Sequence, residues 1–375
     1  MKITAVRYIQ GGVPLPGDGF WPAWWPGYAI PAIGFGIIVV ETDAGVSGVG
    51  PGSASVAHGR WAAEPFLRHK ILGADPLRIG ALLSEPENLP LMRNRPLTIE
   101  LALWDLLGKV AGQPVYRLLG GYSDRVLAYC STGSILSPDE HVEQAWDAYH
   151  RGYRAIKLRL HRPDLVDDLM VIGAVREELP DDLEIMADAN QAQNAYWSRA
   201  EALAAAQTLE NLDVLWLEEP LPMDDVEGLA ELCRRVDIPI AGAENQYQLG
   251  SYRRLVDAKA LDILQPDLLG CGGLLEWRKI ATLCEAHMMP CIPHVWSNGL
   301  VVACSLHAIG SVPNAPYAEI TDDVLWPAPL RDRILTQPFE IVDGWIDVPQ
   351  GPGWGVELDW EFIEAHAHLD MRIEA

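Results

Sequence analysis

Residues 184–244 carry three short apolar runs, each ending in acid: Glu184-Ile185-Met186-Ala187-Asp188, Val214-Leu215-Trp216-Leu217-Glu218 and Pro239-Ile240-Ala241-Gly242-Ala243-Glu244. Each run has strand length, and helix-like segments separate them. That alternation predicts βα units around a parallel sheet, whose strands are buried on both faces. Asp188, Glu218 and Glu244 then fall at the carboxyl ends of three consecutive strands. In a βα barrel those ends open on one face, the usual catalytic face. Three converging carboxylates repel one another unless a cation sits between them, and hard oxygen ligands in an open site suit Mg2+. The plainer alternative is that single acids among them are helix N-caps or solvated loop charges.

The same alternation extends in both directions. Strands are expected at 126–131, 154–160, 184–188, 214–218, 239–243, 262–267, 290–293 and 316–319, with helical patterns such as 139–151, 198–209 and 274–286 between them. This count predicts an α/β fold, a modified (β/α)8 barrel over 124–320. A doubly wound open sheet is the alternative, but no G-x-G-x-x-G follows any strand. Upstream, 1–10 forms a strand, and 34–41 with 46–50 forms a hairpin. Stretches 60–86 and 98–111 are helical, the second with Thr98 as a candidate N-cap. Residues 1–123 are therefore expected as an α+β capping domain, completed by 321–375. Residues 11–31, rich in Gly, Pro and aromatics, suit neither a regular helix nor a central strand. They are expected as a binding loop or lid, or as an apolar plug at a subunit contact.

Composition narrows the function classes. The 375 residues are 49% hydrophobic and 21% charged, an ordinary globular balance. A net charge of −24 argues against nucleic-acid or anionic-membrane partners. Six scattered cysteines without a CxxC pair suggest buried thiols in a reducing, cytoplasmic setting rather than a zinc site. The N-terminal Met1-Lys2-Ile3-Thr4-Ala5-Val6 suggests a strand rather than a signal peptide.

Cations are scarce, so those inside strand ends stand out. Lys157 and Arg159, two apart in Ala155-Ile156-Lys157-Leu158-Arg159-Leu160, share one face of their strand. They could bind an anionic substrate opposite the three acids, unless they are a surface pair on an edge strand. Asp267 ends the sixth strand and His294 the seventh. Neighbouring ends place an Asp where it can orient a His general base. Glu319 ends the eighth. A neutral Glu there could donate a hydrogen bond to a developing oxyanion, unless it is a solvated loop acid.

In order and spacing, these pieces resemble the mandelate racemase subgroup of the enolase superfamily. They are Leu103-Trp104-Asp105, Lys157-Leu158-Arg159, Asp188-Ala189-Asn190, Glu218-Glu219-Pro220, Gly242-Ala243-Glu244-Asn245, Gln265-Pro266-Asp267, Pro293-His294 and Glu319. The resemblance spans essentially the whole chain. It implies a capping domain over the barrel, Mg2+ on Asp188, Glu218 and Glu244, and proton abstraction α to a carboxylate, giving an enediolate that the metal stabilises. It further implies a small carboxylate substrate, with Asn190 among the substrate-binding residues, and favours a homo-oligomer. One position departs. The subgroup's second-strand motif is usually Lys-x-Lys, its second lysine a base, and here Arg159 stands there. Arginine stays protonated, so it is a poor base. Acid-sugar dehydration, a hydro-lyase reaction needing one strong base, is thus expected ahead of racemisation or epimerisation of a 2-hydroxy acid. A non-catalytic metal and acid-sugar binder is a third class. Trp24, Trp25, His58 and Trp296 are expected on loops overhanging the site.

Overall fold

A computed structural model describes residues 1–52, 67–83, 99–192 and 197–375. His58 and Thr98 lie outside the described residues, as do the two ends of the helical stretch expected over 60–86; its described part holds two short helical segments, Leu67–Ile71 and Ile79–Leu83. The N-terminal strands β1 (Ile3–Pro14), β2 (Ala32–Thr42) and β3 (Ser47–Gly52) form an antiparallel sheet with the last strand, β12 (Ala367–Glu374), in the order β12-β1-β2-β3. Strand β1 runs four residues beyond the expected strand and pairs with β2 as far as Pro14↔Ala32. The glycines expected to break it instead let it continue. A Cβ on Gly11 would stand 2.3 Å from the Phe35 ring and 2.4 Å from the His366 carbonyl oxygen, so only glycine fits beside both. Helix α1 (Ile99–Ala111) lies against β3 at Gly48 and Gly50, where a Cβ would stand 2.1 and 2.4 Å from the helix backbone.

The second sheet is parallel and curled. Its strands are β4 (Arg125–Ser131), β5 (Ala155–Arg159), β6 (Glu184–Asp188), β7 (Val214–Glu218), β8 (Ile240–Gly242), β9 (Ile263–Leu264) and β10 (Tyr317–Thr321), in the order β10-β4-β5-β6-β7-β8-β9. Helices such as α2 (Pro138–His150), α3 (Leu165–Glu178) and α4 (Arg199–Asn211) return the chain between strands. Ser137 and Ser198 cap α2 and α4, each in a capping box with a glutamate three residues on. The arrangement is a (β/α) barrel with a separate antiparallel capping sheet. At the expected seventh strand only Cys291 makes a bridge, to Leu264. Pro290 and Pro293 flank it, and proline has no N–H to extend a ladder. The tail divides its contacts: β11 (Trp345–Asp347) pairs with β4 of the barrel, whereas β12 joins the capping sheet.

The barrel floor is filled by Tyr129, Ala155, Met186, Trp216, Ala241, Ile263 and Ile292. Tyr129 and Trp216 meet edge to face at 5.5 Å. The charged strand ends therefore stand above an apolar plug.

A buried acid helps to tie cap to barrel. Glu100 on α1 accepts hydrogen bonds from Trp104 Nε1 (3.1 Å) and from Leu275 N (2.7 Å), in the first turn of α5 (Leu274–Ala286), which has no side-chain cap of its own. Burial pushes the Glu100 carboxyl up to about 7. This group favours the native state fully below its ordinary pKa, and the contribution is lost as pH rises through about 7. The Glu100→Gln variant keeps an acceptor oxygen and cannot ionise. Its stability relative to the parent is expected to improve by about 3 kcal/mol between pH 4.5 and 8. Urea unfolding across that range tests this, and a constant difference would refute it.

Candidate active site

The parallel register brings the charged strand ends together. Ser131 pairs with Lys157, Arg159 with Asp188, and Asp188 with Glu218 across adjacent strands. The backbone beside the acids uses left-handed residues: Asn190 (φ 48°) and Glu219 (φ 46°) just after Asp188 and Glu218, and Ala243 (φ 83°) just before Glu244. Non-glycine residues reach this region only at a cost, and such backbone collects at functional sites.

Lys157 is fully buried. Its Nζ lies 2.9 Å from both Glu218 oxygens, 2.9 Å from Glu319 Oε1 and 3.5 Å from Asp188 Oδ2. Burial disfavours its charge, but Glu218 and Glu319 outweigh that and hold the ammonium protonated. Glu218 also accepts from Gln265 Nε2 (2.8 Å), and its carboxyl is pushed upward by burial first and then by Asp188. Arg159, likewise buried, donates to Thr132 O at 2.6 Å, to Ser131 Oγ at 3.3 Å, to Asn190 Oδ1 at 3.4 Å and to Asp188 Oδ2. Its guanidinium carbon sits 4.9 Å from the Trp24 ring centre and 5.1 Å from that of Trp296. Neither cation is a surface residue on an edge strand.

Across the barrel mouth, His294 Nδ1 is 3.1 Å from Asp267 Oδ2, and its Nε2 is 3.3 Å from Glu244 Oε2. Asp267 is itself anchored, its Oδ1 accepting from Leu269 N and Gly270 N. Burial alone would lower the imidazole's pKa. Glu244, Glu319 and Asp267 overcome this and raise it to about 10. This arrangement favours the imidazolium, the form that gives a proton. Accepting one requires Glu244's charge to be drawn elsewhere.

Glu319 corrects an expectation. It is neither solvated nor a neutral donor. Ser131 Oγ (2.6 Å) and Val295 N (2.7 Å) donate to it, and Lys157 pairs with it. Burial would raise its pKa, but Lys157, His294 and Arg159 bring it down to about 2. An ionised carboxylate can only accept, as both Glu319 oxygens do here.

Of the remaining expected residues, Asn190 and the indoles of Trp24 and Trp296 gather at Arg159. Trp25 does not: it stacks on Tyr28 at 4.6 Å and is 54% exposed. Two residues without an expected role belong to the site, Ser131 and Glu219. Glu219 is fully buried, and neither carboxylate oxygen has a hydrogen-bond partner among the described residues. Burial, then Glu244 and Asp188, push its carboxyl well above the ordinary range. The doubled acid before Pro220 was its only signal.

The donor chemistry fits a hard divalent cation, with three carboxylates at the ends of adjacent strands. Here Lys157, Arg159 and His294 face those oxygens. Among the described residues no three His, Cys, Asp or Glu side chains are gathered as a metal cage. No helix among them is long and apolar enough to cross a membrane.

This cap, barrel and ring of charged strand ends agree with family models. Residues 31–120 match the mandelate racemase / muconate lactonizing enzyme N-terminal domain, and 140–362 match the enolase C-terminal domain-like family. The chain belongs to the mandelate racemase group of the enolase superfamily. Among individual proteins, it is 34% identical to the arabinonate dehydratase of Saccharolobus solfataricus over 69% of this chain and 68% of that one. It is 31% identical to the D-galactarolactone cycloisomerase of Agrobacterium fabrum over 86% and 88%. The crystal structure of L-talarate dehydratase from Polaromonas sp. JS666, complexed with Mg and L-glucarate, superposes with a TM-score of 0.84 at 28% identity, covering 100% of this chain and 99% of that one.

Proposed function

We propose that the protein is a Mg2+-dependent dehydratase of a sugar acid, an aldonate or an aldarate, giving a 2-keto-3-deoxy acid. The observation that carries this reading is the asymmetry of the barrel mouth. One side holds a carboxylate-oriented imidazole, His294 with Asp267 at 3.1 Å. The other holds Arg159, whose pKa lies above even arginine's ordinary value because Asp188, Glu218 and Glu319 outweigh burial, so it cannot take a proton. Elimination needs one base; racemisation needs proton transfer on both faces.

Bound by Asp188, Glu218 and Glu244, Mg2+ would supply positive charge beside the substrate's carboxylate and draw Glu244's charge away from His294. Lys157 and Arg159 orient that carboxylate. His294 Nε2 takes the proton from C2, with Asp267 fixing the ring. The imidazolium returns that proton to the departing C3 hydroxyl, which leaves as water. The enol then tautomerises, gaining a proton at C3. Relatives bearing dehydratase names support this, as does the Mg and L-glucarate complex of the Polaromonas enzyme.

The cycloisomerase relative, which matches a larger share of the chain, favours a second reading with the same first step. There a lactone ring oxygen would leave in place of hydroxide. A panel of sugar acids and their lactones with MgCl2, read by semicarbazide for keto acids and by proton NMR in D2O, tests both. A keto acid formed with loss of water is the expected result. A keto acid formed only from lactones would select the second reading. Exchange at C2 without any keto acid would overturn both in favour of racemisation.

A further inference from the structure

Arg159 is closely held. Its polar edge meets Thr132 O, Ser131 Oγ, Asn190 Oδ1 and Asp188 Oδ2, and the indoles of Trp24 and Trp296 lie together on one side of it. The two indoles touch each other edge to face at 4.9 Å, and Phe20 stacks on Trp296 at 5.5 Å. Trp24 and Phe20 belong to the capping stretch 15–31, which is pinned to the barrel by Ala23 N donating to Gly133 O at 2.8 Å. Gly133 leaves no slack in this contact, since a Cβ there would stand 2.5 Å from the Trp296 ring and 2.6 Å from that of Phe20. A continuous packed path therefore runs from Asp188 through Arg159 and two indoles into the cap.

Asp188 is claimed twice. Its Oδ1 accepts from Asn190 N at 2.9 Å, and its Oδ2 carries both Arg159 and, at 3.5 Å, Lys157. A divalent cation using Asp188 must share that carboxylate with a guanidinium in direct contact, and like charges so close in a dry site repel strongly. Lysine would retreat along a flexible stem. A planar guanidinium packed against two touching indoles disturbs that packing when it moves.

We propose that Arg159 competes with Mg2+ for Asp188, and that loading the metal shifts the guanidinium relative to the Trp24–Trp296 pair packed on it, coupling metal occupancy to the packing of residues 15–31 on the barrel. The inference rests on the metal reading above only in taking Asp188 as a ligand. Coupling of this kind is reciprocal, so weakening the Arg159 contact favours the metal.

The full-length, EDTA-treated protein is titrated with MgCl2 by calorimetry and by tryptophan emission. In the parent, the emission change is expected to share the calorimetric midpoint. Trp24→Phe is expected to remove most of that change while the midpoint stays within about threefold. Arg159→Gln is expected to bind Mg2+ about tenfold more tightly, having lost the competing charge, and to show no emission change. Arg159→Lys, which keeps a cation without a stacking plane, covers the case in which the glutamine variant does not fold. It is expected to bind Mg2+ at least as tightly as the parent, because the lysine can withdraw along its stem, and to lose the emission change. Unchanged or weaker affinity in Arg159→Gln overturns the proposal. So does heat of binding with flat emission in the parent, or a retained emission change in Arg159→Lys. Absence of any Mg2+ binding by the parent is a different failure, since it removes the metal reading itself and the coupling with it.

Discussion

Replacing His294 with asparagine is expected to cut kcat on the sugar acid found by the substrate panel by about a thousandfold, with a small change in KM. Asparagine is close in size and can still hydrogen-bond to Asp267, now 3.1 Å from the imidazole. It has no nitrogen that can take a proton near neutral pH. The loss should therefore fall on the chemical step and leave binding largely intact. Exchange of the C2 proton with D2O should vanish in parallel, because in the proposed reaction the same nitrogen opens that bond. Turnover within tenfold of the parent, or exchange that persists, would show that His294 is not the base.

The second large effect concerns Lys157. Its ammonium is the shared counter-ion of Glu218 and Glu319, each at 2.9 Å, with all three side chains at most 1% exposed. Lys157→Met keeps the stem's volume and removes the charge. Breaking a buried ion pair by deleting one partner typically costs about 3–5 kcal/mol, because the orphaned charge stays in a dry environment. Here two carboxylates are orphaned, with Asp188 close by. The variant is expected to lose about that much stability at pH 8 by urea unfolding. The deficit should shrink toward pH 5, because carboxyls without a counter-ion take up protons more readily. A variant as stable as the parent at pH 8 would mean that other donors satisfy those carboxylates. Turnover should fall as well, since one of the two cations orienting the substrate carboxylate is gone.

Much of this arrangement was legible along the chain because its logic is local. An apolar run of five residues ending in Asp188 or Glu218 is at once a buried strand and a charged tip, so strand, register and direction follow together. Asp267 and His294 could be paired because they end neighbouring strands. What escaped the sequence depends on contacts between distant residues. Glu319 looks like any strand-end acid, and its low pKa is set, against burial, by Lys157, His294 and Arg159, with Ser131 donating to it, groups that arrive from separate elements. Trp24 and Trp25 are equivalent in composition, yet one stacks on Arg159 and the other on Tyr28. The extension of β1 to Pro14 was hidden because glycines commonly end strands, whereas at Gly11 glycine makes room for Phe35. The reduced seventh strand shows the converse: Cys291 and Ile292 have strand character, but the prolines on either side limit the ladder.

That shortened stave has a consequence for substrate range. Lys157, Asp188 and Glu218 ride on strands locked in register, so their spacing resists change. His294 rides on a segment joined to Leu264 and Asn314 through residues 290–292. Just beyond His294, Val295 is held by side chains, its N–H by Glu319 and its carbonyl by Thr321 Oγ1. In the proposed reaction the group that moves the proton is thus mounted on a short arm, and the groups that bind charge on a frame laced by strand pairing, which includes Glu319–Thr321 on β10. Substitutions at 293, 295 and 296 are therefore expected to alter which acids are accepted while leaving the frame untouched.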